Sequence, residues 1–138
     1  MNLPLYSAAL GAFLIVLQVI LMLAVGLHRT KGAPIGIGDD QDLERKVRRH
    51  GNLAENSGLF LAVLALLEII AGQTWYVAAL CALFAIARLS HAVGFSTLAG
   101  SHGVDGNRSP FILMRGMGAF GTLLTALGAA GAIAINLA

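Results

Sequence analysis

Charge is what this sequence has least of. Only 12% of its 138 residues are Asp, Glu, Lys or Arg, half of the roughly 25% that a soluble domain carries. The net charge of +2 rests on so few side chains that a surface broad enough to hold nucleic acid is excluded. Cysteine occurs once, at Cys81, so neither an intrachain disulfide nor a cysteine metal cluster can form. Its apolar neighbours make it a packed thiol. There is no HExxH and no cluster of histidines, and His28, His50 and His102 stand in unrelated contexts, so no metal site is expected. A Gly-x-x-x-x-Gly-Lys-Ser/Thr phosphate loop is missing too.

What is present is apolar sequence. The hydrophobic set makes up 57% of the chain and the mean hydropathy is +0.80. The 17 glycines lie within apolar segments instead of forming a repeat, as in membrane helices. The expected fold is all-α: a single domain, 1–138, forming an integral membrane four-helix bundle with helices over about 5–27, 42–70, 75–95 and 110–137. At a rise of about 1.5 Å per residue the first helix crosses a hydrocarbon core of roughly 30 Å. It has no basic flank before it and is long for a signal sequence, so it is expected to be retained. Gln18 within it is expected to bond to a neighbouring helix.

The first loop is set by Pro34 and the glycines around it, with Asp39, Asp40 or Asp42 placed to cap the second helix. Gly72-Gln73 makes a tight turn, Trp75 and Tyr76 are interfacial aromatics, and Pro110 starts the fourth helix. Gly118, Gly121, Gly128 and Gly131 allow close approach of neighbouring helices. Four crossings place both termini on one side. Arg29, Lys31, Arg45, Lys46, Arg48, Arg49, Arg108 and Arg115 gather on the other, so the loops are expected to be cytoplasmic. A bacterial inner membrane is the expected location.

The charged stretch Glu44-Arg45-Lys46-Val47-Arg48-Arg49-His50-Gly51-Asn52-Leu53-Ala54-Glu55 runs straight into the apolar part of the second helix. Glu44, Arg48, Asn52 and Glu55 follow at steps of four, four and three, which puts them on one helix face. Polar groups below the headgroups are costly unless they pair or line a cavity. Arg48, Asn52 and Glu55 therefore read as a site, and Arg45, Lys46 and Arg49 as a juxtamembrane anchor. Arg88, His91 and Phe95 lie a turn apart on the third helix. Arginine forks facing a carboxylate and an amide suit a ligand with several carboxylates and an amine. An arginine near sulfur also favours a thiolate. His91 is either a base or a structural partner of Arg88 or Glu55.

The motif Glu44-Arg45-x-x-Arg48-x-His50-x-Asn52-x-x-Glu55, with the four-helix layout over nearly the whole chain, resembles the MAPEG family, the membrane-associated proteins in eicosanoid and glutathione metabolism. The resemblance implies a homotrimer that binds glutathione as co-substrate between subunits on the cytoplasmic side. Arg29, Arg48, Asn52, Glu55, Arg88 and His91 would hold the tripeptide. An arginine at the start of the fourth helix, Arg108 or Arg115 with a slight preference for Arg115, would steady the thiolate. Two positions depart from relatives: Gly51 stands where several carry arginine or another large residue, and Phe95 replaces a tyrosine, losing a hydroxyl donor.

The expected function is a glutathione-dependent transferase or peroxidase acting on an apolar electrophile or lipid hydroperoxide drawn from the surrounding lipid. The alternative is a non-enzymatic membrane protein that binds glutathione or another small anion. A transporter of this size would have to be oligomeric and shows no inverted repeat, and a scaffold would leave Arg88, Asn52 and Glu55 as interhelical links only.

Overall fold

The computed structural model describes residues 3–32, 35–98 and 110–138. Among the described residues four helices follow in order: α1 (Leu5–Arg29), α2 (Gln41–Ala71), α3 (Trp75–Gly94) and α4 (Pro110–Leu137). Each is long and apolar enough to cross a membrane, and large side chains such as Ile15, Leu59, Leu113 and Leu127 stay exposed on them. In water so much exposed apolar surface would drive association, whereas in a bilayer it meets lipid. The chain is an integral, multi-pass membrane protein.

The helix ends follow local chemistry. Asp40 is the cap of α2, its Oδ1 accepting from the amides of Asp42 at 3.0 Å and Leu43 at 2.9 Å, so the helix begins one residue before the expected start. Gly72 ends it at φ 77°, a conformation that costs glycine little. The N-terminus of α1 has no side-chain cap of its own behind Pro4. Glu68, fully buried near the end of α2, supplies one by accepting from the amides of Tyr6 at 2.9 Å and Ser7 at 2.8 Å and from the Ser7 hydroxyl at 2.7 Å. A carboxylate facing the free amides of a helix start is favoured by both hydrogen bonding and the helix dipole.

The core runs along the middle of the bundle, where Leu21, Leu64, Leu67, Val77 and Phe84 are almost wholly buried and Phe60 stacks on Phe84 with ring centres 4.4 Å apart. Gln18 bonds across to α2, its Nε2 lying 2.7 Å from His50 Nε2. Helices α3 and α4 pack most closely. A Cβ on Gly118 would lie 2.6 Å from His91 Cβ and 2.7 Å from the Ala87 carbonyl oxygen, and one on Gly121 2.9 Å from Ala87 Cβ. Gly128 likewise faces Leu80 at 2.8 Å. The expected close approach fails for Gly131, which has no such neighbour within 4 Å. Gly94, at the end of α3, would put a Cβ 2.6 Å from the Arg115 amide nitrogen.

The basic stretch also departs from expectation. Arg45 is not a headgroup anchor: it is 7% exposed, its Nη1 donates to the Phe95 carbonyl at 2.7 Å and its Nε to Asp42 at 3.0 Å. Lys46 Nζ reaches Asp42 and His28 Nδ1, each at 2.7 Å, while His28 Nε2 lies 2.8 Å from Asp40. With the proton on Nε2, His28 accepts from Lys46 and donates to Asp40. The result is a clasp joining the end of α1, the start of α2 and the end of α3. Arg49 is half-buried as well.

Candidate functional site

The site begins with Arg88, because a guanidinium at that depth has to find acceptors. Arg88 is 3% exposed. Its Nη1 donates to Asn52 Oδ1 on α2 at 3.3 Å, and its Nη2 donates to the Gly118 carbonyl at 3.4 Å and to the Thr122 hydroxyl on α4. Its charged end also lies 5.5 Å from the centre of the Phe84 ring, a favourable placement for a cation. Arg88 Nε is buried without a hydrogen-bond partner, and no carboxylate pairs with the guanidinium among the described residues. A buried cation surrounded by neutral acceptors keeps its charge available for an anion.

One turn further along α3, His91 is buried against Gly118. Its ring tilts against Phe95 with centres 4.9 Å apart, and Arg115 lies over the same Phe95 ring at 5.3 Å. Neither Arg88 nor Glu55 hydrogen-bonds to His91 in this arrangement; its neighbour is aromatic. Asn52, Arg88, His91 and Arg115 thus form one continuous group at the loop end of the bundle, with Phe95 between His91 and Arg115.

The remaining expected residues lie outside that group. Arg48 has a side chain 68% exposed and reaches Glu44 at 2.8 Å. Glu55 is exposed on the same face of α2, one turn beyond Asn52, and Gly51 beside it would place a Cβ 3.9 Å from Glu55 Oε1. Arg29 Nη1 donates to the Gly36 carbonyl at 2.9 Å, which holds it against the first loop. Arg108 lies outside the described residues.

Sequence reasoning missed Thr122 and the carbonyl of Gly118. The available signal was a polar residue one turn beyond Gly118 and one turn before Thr125, on the small-residue stripe of α4. It also missed an apolar groove of about 180 Å³ between α2 and α4, lined by Leu59, Phe60, Val63, Leu64, Ala126 and Ala129. Ala126 follows Thr122, an acceptor of Arg88, by one helical turn, so this groove continues from the polar group toward the middle of the membrane.

The profile of the MAPEG family matches residues 5–135. No curated protein and no solved structure matches the chain.

Proposed function

The chain belongs to the MAPEG family, and on that premise we propose that it is a glutathione-dependent transferase or peroxidase for apolar substrates. The observation that carries this reading is Arg88, a buried cation bonded to neutral acceptors beside a helix face that presents Arg48 and Glu55 outward. Glutathione supplies the matching groups: two carboxylates for arginine forks, an ammonium for Glu55 and a thiol. Because Arg48 and Glu55 face away from the single chain, a neighbouring subunit completes the site, in keeping with a homotrimer. With the basic loop end cytoplasmic, glutathione enters from the cytoplasmic side of a bacterial inner membrane.

In this mechanism Arg48, Asn52, Glu55 and Arg88 bind and orient the tripeptide, with Arg29 and His91 at the edges. Arg115, or Arg108, stabilises the thiolate after its proton has passed to water. In conjugation the sulfur forms a bond to an electrophilic carbon as the leaving group departs with the bonding pair. In peroxidase work the sulfur attacks the terminal hydroperoxide oxygen, the O–O bond breaks and the alkoxide leaves as alcohol on taking up a proton; a second glutathione thiol then attacks the sulfenic acid so formed, giving glutathione disulfide and water. The α2–α4 groove, lined wholly by apolar side chains, suits the electrophile, which arrives from lipid.

Binding without turnover is a second reading. Phe95 favours it, because the ring between His91 and Arg115 has no hydroxyl to donate to a thiolate. The two are separated by incubating the detergent-purified oligomer with glutathione and either an apolar aryl halide or a fatty-acid hydroperoxide. Formation of a thioether, or of alcohol with glutathione disulfide, above the uncatalysed rate supports the enzyme. Glutathione binding with neither product supports the binding protein.

A further inference from the structure

We infer that Thr122 is a positioning residue: it fixes the orientation of the Arg88 guanidinium, and through it the affinity of the glutathione site proposed above. The geometry gives the hydroxyl one role only. Thr122 Oγ1 donates its single proton to the Gly118 carbonyl one turn back, at 2.8 Å, so toward Arg88 Nη2 it acts as an acceptor. The Gly118 carbonyl accepts from both the threonine and Arg88 Nη2. Two acceptors of α4 thus hold one guanidinium nitrogen, while Asn52 on α2 holds the other.

The fork is pinned at both tips, and among the described residues no carboxylate neutralises either one. A carboxylate at position 122 would hold Arg88 as firmly but would cancel the charge that an anionic ligand needs. An apolar residue would keep the charge but leave Nη2 to the Gly118 carbonyl alone, at 3.4 Å, and so loosen the aim. A hydroxyl whose proton is already committed does both, and threonine's β-branch limits its rotation within the helix. Gly118 serves the same end by a different route: without a side chain it lets α4 approach Ala87 and His91 closely enough for its carbonyl to reach Arg88.

Two measurements on the intact detergent-purified oligomer test this, using T122V, T122S and, should T122V fail to assemble, T122A. The first is nitrogen NMR of arginine-labelled protein without ligand, with the Arg88 signals identified by their loss in R88K. Wild type and T122S are expected to show separate Nη resonances, and T122V one averaged resonance. The second is titration with glutathione, in which T122V is expected to bind about tenfold more weakly than wild type and T122S to stay within about twofold, as for loss and retention of a hydrogen bond to a charged group. Unchanged Nη resonances in T122V, or wild-type affinity in T122V beside a wild type that binds, would overturn the inference. A wild type that binds no glutathione would overturn the ligand reading instead, and the NMR comparison would still decide whether Thr122 orients Arg88.

Discussion

Glu68 and Ser7 lie 61 residues apart in the chain and meet twice, the carboxylate accepting from the Ser7 amide at 2.8 Å and from its hydroxyl at 2.7 Å. Since Pro4 gives α1 no cap of its own, this contact holds the start of the first helix to the end of the second. Glu68→Gln puts an amide NH2 where backbone donors point, and is expected to cost about 2 kcal/mol. Ser7→Ala removes one bond and is expected to cost about 1 kcal/mol. Thermal unfolding in detergent measures both, and a Glu68→Gln protein as stable as wild type would refute the capping role.

Gly118, like Gly94, lies where the backbones of α3 and α4 approach closely. Gly118→Ala must displace His91 and the Ala87 carbonyl, and overpacking of this kind is expected to cost about 2 kcal/mol. Gly131→Ala, with no neighbour within 4 Å, is expected to be neutral or stabilising by up to about 1 kcal/mol, the difference in helix propensity. The same unfolding assay compares them. Equal effects would mean that the helices do not pack as described.

Asn52 separates what holds Arg88 from what Arg88 can bind. Asn52→Leu leaves Nη1 without its acceptor and is expected to lower stability by about 2 kcal/mol and to weaken glutathione binding. Asn52→Asp supplies a counter-charge, so stability is expected to recover while binding does not. Recovery of glutathione affinity in Asn52→Asp would show that the charge of Arg88 is not what the ligand uses.

Asp40 gives the bundle an acid limit. The Leu43 amide, with His28 next in effect, holds its carboxyl below the usual carboxylate range. A group with a lowered folded pKa contributes its full stabilisation above the unfolded value, about 3.9, and loses it as pH falls through the folded value. Unfolding temperature is therefore expected to be insensitive to Asp40 from neutral pH down to about 4 and to fall below that. Asp40→Asn, which caps without titrating, is expected to flatten that acid limb.

The helices were legible because long apolar runs with capping and turn residues leave few alternatives, as Asp40 and Gly72 illustrate. The face carrying Arg48, Asn52 and Glu55 was legible from spacing alone, since helical periodicity fixes neighbours within a helix. Contacts between helices were not. Nothing local marks Thr122 as a partner of Arg88, 34 residues away, or Glu68 as the cap for Ser7. Arg45 was misread for a related reason: a basic run beside an apolar helix resembles a headgroup anchor until the end of α3 is seen to bring the Phe95 carbonyl to it. Gly131 shared the pattern of Gly118, Gly121 and Gly128, but it lies on the exposed side of α4, with no neighbour in this chain within 4 Å.

The central claim is that the polar face of α2 binds glutathione, and Arg48 tests it most directly. Its side chain is mostly exposed and paired only with Glu44 among the described residues, so Arg48→Ala should leave stability within about 0.5 kcal/mol of wild type. Any loss of binding then reports on the ligand. Isothermal titration of glutathione into the detergent-purified oligomer is expected to give saturable binding in wild type and a loss of about tenfold or more in Arg48→Ala. Equal affinity in the two proteins, or no binding by a correctly assembled wild type, would contradict the account.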